Sequence, residues 1–159
     1  MKKFSVLLVA ILALMMLFVS CEHEPEKRAA TKEDGEIIQG LIMSAIAITK
    51  SDSPVYKETV ELGEGTATFK KAEYTDPKGN VAVLNGTMTV KPAKESKTVT
   101  YSINFGEGTK YKGKDHTLLA NGVVKMPEKE VVSSEIMLDG VILTDFDFDY
   151  ILKIIVGKP

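Results

Sequence analysis

The chain has no tryptophan, one cysteine and two histidines in 159 residues, and these shortages remove whole classes of chemistry before any motif is read. With a single thiol, Cys21, no internal disulfide can form, so the fold must be held by its core. Cysteine-histidine catalysis and a histidine-rich metal centre are excluded, because beyond residue 23 the only imidazole belongs to His116. Ser102, Ser133 or Ser134 with His116 and a carboxylate is a combination that any sequence offers, and none of these serines stands in a G-x-S-x-G turn. Charge of one sign is scarce as well: 20 Lys and Arg face 22 Asp and Glu, a formal net of -2. Such a balance gives no attraction to nucleic acid or to an anionic membrane face.

What is present is concentrated at the start. Lys2 and Lys3 open the chain, Phe4 to Val19 is almost unbrokenly apolar, Ser20 is small, and Glu22-His23-Glu24-Pro25 follows the thiol of Cys21. Phe18-Val19-Ser20-Cys21 resembles the lipobox of bacterial lipoprotein signal peptides, with Phe18 where that family usually carries Leu. The resemblance covers residues 1 to 21. It implies cleavage after residue 20 and a diacylglyceryl thioether on Cys21, each buried methylene adding about 0.8 kcal/mol of membrane affinity. A signal anchor is the competing reading, but Phe4 to Ser20 only reaches the lower bound of roughly 17 residues for a spanning helix. An ordinary secretory leader leaves the placement of the only thiol unexplained.

Removing residues 1 to 20 leaves 139 of the 159 residues, enough for one domain with a real core. The leader takes two cations and no acid with it, so 18 basic side chains face 22 acidic ones, a net of about -4. Residues 21 to 35 read as the lipidated cysteine and a flexible tether, because EHEPEKRAATKEDG contains no large apolar side chain. His23 lies within it as a solvated side chain.

Residues 36 to 159 read as the single folded domain. Ile37, Ile38, Leu41, Ile42, Ala45 and Ile46 recur at helical spacing, Thr31 or Asp34 supplies a cap, and Ser53-Pro54 ends the element. From Val55 the period becomes two. Runs at 56 to 62, 66 to 74, 81 to 90, 97 to 105, 117 to 126, 131 to 138, 141 to 146 and 148 to 156 are separated by turn signals such as Gly63-Glu64-Gly65, Gly106-Glu107-Gly108 and Asp139-Gly140. In the clearest of them Val99, Tyr101, Ile103 and Phe105 alternate with Thr98, Thr100, Ser102 and Asn104. Short connections permit antiparallel neighbours and not parallel crossovers. The expected fold is therefore α+β, with one N-terminal amphipathic helix packed on a mainly antiparallel meander or sandwich of six to eight strands. Leu62 to Thr66 recurs as Phe105 to Thr109, and Leu84-Asn85-Gly86 as Ala120-Asn121-Gly122, either as a duplication or because glycine-rich turns resemble one another.

Candidate chemistry is thin. In Asp145-Phe146-Asp147-Phe148-Asp149-Tyr150 an extended chain places three carboxylates on one face, which suggests calcium or, more simply, a solvated strand face. An EF-hand is excluded, since Tyr150 stands where the loop requires Gly. The composition leads to a non-catalytic monomer without cofactor, anchored through Cys21 in the cell envelope on the outer-membrane, periplasmic or surface side. It would act as a binding or structural and assembly module for an envelope protein, glycan or lipid. Met88, Met126 and Met137 suggest the alternative, a carrier of a small apolar or lipid ligand.

Overall fold

A computed structural model describes residues 24–93, 95–128 and 130–146. Cys21, Asp147, Asp149 and the run at 148 to 156 lie outside them. Among the described residues there are one α-helix, α1 (Lys32–Thr49), a single 3-10 turn (Pro54–Tyr56), and ten strands: β1 (Lys27–Ala29), β2 (Val60–Gly63), β3 (Thr66–Thr75), β4 (Val81–Ala93), β5 (Thr98–Phe105), β6 (Lys110–Tyr111), β7 (Lys114–Asp115), β8 (Leu118–Lys125), β9 (Glu130–Leu138) and β10 (Val141–Thr144). The class is α+β. The strands form one sheet in the order β1-β10-β9-β8-β5-β4-β3-β2, with the β6-β7 hairpin attached to the start of β4.

The strand number exceeds the expected six to eight. The extra elements are β6 and β7, whose Lys112-Gly113 turn takes positive φ at both residues, and β1, which runs parallel to β10 and makes the sheet mixed. Residues 27 to 35, expected as part of a tether, hold β1 and the start of α1. Lys27 to Ala29 pair with Ile142 to Thr144 through backbone groups alone, which needs no apolar side chain, and α1 starts at Lys32. Its first turn is fixed by a reciprocal box, in which the Asp34 N–H donates to Thr31 Oγ1 at 3.2 Å and the Thr31 N–H donates to Asp34 Oδ2 at 2.7 Å. Arg28 then clamps Asp34 from β1 with two bonds of 2.6 and 2.8 Å. Thr31 is the cap.

The core lies between α1 and one face of the sheet. Ile38, Leu41, Ile42 and Ala45 of the helix are fully buried, together with inward positions of the strands such as Phe69, Leu84, Ile103, Phe105, Ala120 and Ile136. Phe69 and Phe105 meet edge to face at 5.8 Å. The clean alternation expected for β5 is seen: Tyr101, Ile103 and Phe105 are buried while Thr100 and Asn104 are exposed. In β3 the alternation changes phase at Lys70-Lys71, because Lys71 adopts φ 53 in a bulge that lets Ala72 as well as Phe69 face the core.

Candidate functional site

From Ile37 to Thr49 the helix carries no charged residue, so even its outward side is uncharged. That side floors a groove of about 970 Å³, in which Gln39, Gly40, Met43, Ser44 and Ala47 are walled by Tyr74, by the turn at 76 to 80, by Tyr111 and Lys112, and by Asp145 and Phe146. The volume lies at the upper end of the range usual for a small-ligand site. Gly40 is required by the wall: a Cβ there would lie 2.2 Å from Tyr111 Cζ. Burial pushes the Tyr111 hydroxyl above its usual range, and the Lys112 ammonium stands 5.3 Å from the ring centroid. The turn is rigid, because Asp76 accepts from Asn80 Nδ2 and from the backbone N–H groups of Lys78 and Asn80, each at 2.8 Å. The Asn80 side chain, followed by these backbone donors, holds the Asp76 carboxyl below the usual range.

A second cleft of about 440 Å³ shares Lys32, Glu36, Tyr111 and Lys112 with the first and adds Glu33, Ile37, Lys114 and His116. His116 is nearly buried, and its Nδ1 lies 2.9 Å from Asp139 Oδ2, while Asp139 Oδ1 accepts the Thr117 N–H at 2.7 Å. The carboxylate fixes the ring, as in an acid-base pair, and also fastens the β9-β10 turn, where Asp139 takes φ 52. The three serines weighed with His116 are elsewhere. Ser102 donates to Asn121 Oδ1 at 2.7 Å, and Ser133 and Ser134 stand opposite Val123 and Gly122, well along β9 from Asp139. Among the described residues no serine or cysteine lines this cleft.

No protein-family model, curated protein or solved structure matches the chain. Its site must therefore be read from its own geometry.

Of the three carboxylates at 145, 147 and 149 only Asp145 is described; it has φ 56 and follows the last residue of β10. The glycine-rich repeats are structural: Asn85 Nδ2 donates to Glu107 O at 2.7 Å and the Gly106 N–H donates to Asn85 O at 2.9 Å, docking the second GEGT turn onto β4. The three methionines divide, with Met88 and Met126 at the core side and Met137 on the opposite face beside Leu119. Two features were missed in the sequence. One is the groove, signalled only by Gly40 and Ser44 inside an otherwise apolar helix. The other is Tyr101, which is 1 % exposed, lies across Gly122, and carries a hydroxyl without a hydrogen-bond partner among the described residues. Burial pushes this hydroxyl up to about 12.

Proposed function

We propose that the chain is a lipid-anchored lipoprotein of the bacterial cell envelope acting as a non-catalytic binding or structural and assembly module. The observation that carries the anchor is the position of the only cysteine, Cys21, between an apolar leader and a charged stretch. Among the described residues β1 starts at Lys27, six residues after Cys21. Six residues span at most about 20 Å, so the domain would stand close to the bilayer with the β1-β10 edge nearest to it. The two connected clefts beside α1 support binding. Among the lining residues Ser44 donates to Gly40 O, Asp76 is held by Asn80 and the Lys78 N–H, and His116 is held by Asp139, so these groups serve the fold. Among the described residues no helix is long and apolar enough to cross a membrane.

The test of the anchor is Cys21→Ser in the producing cell, followed by labelling with a radioactive fatty acid. The variant is expected to lose the label and to accumulate as an uncleaved or unanchored form, because a hydroxyl is a far poorer nucleophile than a thiol. Mature-size, membrane-bound and labelled Cys21→Ser protein would refute the assignment.

A carrier of a small apolar or lipid ligand is the second reading, and Tyr101 favours it, because a buried hydroxyl without a partner among the described residues is a group that a ligand could satisfy. Native mass spectrometry of the protein extracted from its membrane decides between the two. A lipid that copurifies at unit stoichiometry supports the carrier, and its absence supports the module.

A further inference from the structure

At the end of β10 the chain leaves the sheet beside α1 and enters the wall of the larger groove. Thr144, the last residue of that strand, accepts a hydrogen bond of 2.9 Å from the Ala30 N–H, one residue before the Thr31 cap, so the exit lies at the helix N-terminus. Asp145 then takes φ 56, and Asp145 and Phe146 both line the groove. Phe146 also packs against the core between α1 and the sheet, which fixes the exit on the helix side. Residues 147 to 159 follow, outside the described residues. β10 has no free edge to offer them, because β1 and β9 already pair with it on its two sides.

Phe148, Tyr150, Ile151, Leu152, Ile154 and Ile155 crowd into the positions from 148 to 155, with Asp149 and Lys153 the only charges among them. A run this apolar needs cover, since a domain in water rarely exposes an apolar patch of more than a few hundred Å². The groove offers a matching surface: its helical floor is uncharged from Ile37 to Thr49, and Met43 on that floor is 45 % exposed. Lys32, at the helix start where the chain enters, and Lys78 and Lys112 of the walls complement Asp147 and Asp149, while Glu36 and Asp76 complement Lys153. Length fits as well. The helical side of the groove runs from Lys32 to Ala47, about 22 Å at 1.5 Å per residue, and residues 147 to 156 span up to about 33 Å. We propose that residues 147 to 156 of this chain occupy the groove along α1, so that a ligand gains the larger cleft only in competition with the protein's own C-terminal segment. That competition rests on the binding-module reading, whereas the docking of the segment does not.

The test uses the full chain, membrane-bound and in detergent, treated with a short amine-reactive cross-linker and mapped by mass spectrometry. Lys153 is expected to join Lys32, Lys78 or Lys112, the lysines of the groove, in preference to Lys27 at the β1 edge or to Lys91 and Lys125 on the far face of the sheet. Hydrogen exchange supplies the second readout. Met43→Lys sets a charge on a half-exposed floor position without touching the core, and the amides of 148 to 156 should then exchange at least tenfold faster than in the wild type, while those of β5 and β8 keep their rates. Ala47→Lys, from the same floor, serves if Met43→Lys disturbs β5 or β8. Links from Lys153 to none of the groove lysines, wild-type amides at 148 to 156 without protection, or equal exchange in the wild type and the floor variants would each overturn the proposal. Loss of the fatty acid from Cys21 with both results intact refutes the anchor alone, and a ligand that fills the groove while 148 to 156 stay protected refutes the competition.

Discussion

Gly86 is the position where a single methyl group should do most harm. It lies in β4 opposite Phe105, at φ 141, and an added Cβ would sit 2.0 Å from Asn104 O and 3.0 Å from Phe105 Cα. Both neighbours are backbone, so the methyl cannot be accommodated by rotating a side chain. Either β4 and β5 separate or the residue abandons its conformation. The first choice displaces Phe105, which is buried and packed edge to face on Phe69. A forced backbone region costs about 1–3 kcal/mol, and overpacking a filled core costs about 1–3 kcal/mol. Gly86→Ala should therefore lose about 4 kcal/mol, a large part of the roughly 5–15 kcal/mol that holds a domain. For a domain of this size that is a fall in Tm of roughly 10–20 °C.

Gly35→Ala is the matched control. Gly35 lies in the first turns of α1, nothing stands within 4 Å of the place an added Cβ would take, and its φ is not left-handed. Alanine there gains helix propensity and should raise stability by about 0.8–1 kcal/mol. Circular dichroism melts and urea titrations of the wild type and both variants measure the two shifts. A loss below about 1 kcal/mol in Gly86→Ala would refute the strand contact, and a loss in Gly35→Ala would refute the helical start.

Two further variants probe groups whose ionisation the fold perturbs. Arg28 first, then Thr31, hold the Asp34 carboxyl well below the usual carboxylate range; a lowered value contributes stability above the unfolded value near 3.9 and loses it as pH falls, so wild-type stability should decline from about pH 5 downward. Asp34→Asn should lower Tm at pH 7 by a loss of about 2 kcal/mol, the usual worth of a hydrogen bond to a charged group, and flatten the acid limb; an unchanged acid limb would show that the clamp is not formed in solution. Tyr101 is raised to about 12 by burial, so its neutral form is favoured in the native state and stability should fall as pH rises above about 10. Tyr101→Phe removes a hydroxyl that has no partner and should stabilise by about 1 kcal/mol at pH 7 while delaying alkaline unfolding; destabilisation instead would reveal a bound water or ligand at that oxygen.

The parts of the fold that were legible in the sequence are those whose side chains report their own surroundings. Val99 to Phe105 alternates because one face of β5 is buried and the other is wet, and the turns at Gly63 to Gly65 and Asp139-Gly140 announce themselves through residues that tolerate positive φ. β1 was hidden for the opposite reason. Lys27, Arg28 and Ala29 are held by backbone pairing with β10, a partner more than a hundred residues away, and their exposed side chains look the same in a tether. The change of phase in β3 was hidden too, because two adjacent lysines conceal the bulge that carries the core face from Phe69 to Ala72. The groove needed the tertiary fold: Gly40 and Tyr111 become one surface only when the β6-β7 hairpin is laid against α1. The same holds for the outward threonines of β3 and β4. Thr-x-Thr at 66 to 68 and at 87 to 89 reads as ordinary solvent-facing alternation in each strand, and only the register places Thr66 against Thr89, where the two hydroxyls share a hydrogen bond of 3.1 Å, and Thr68 against Thr87. Register, which no single strand encodes, decides which side chains of neighbouring strands meet.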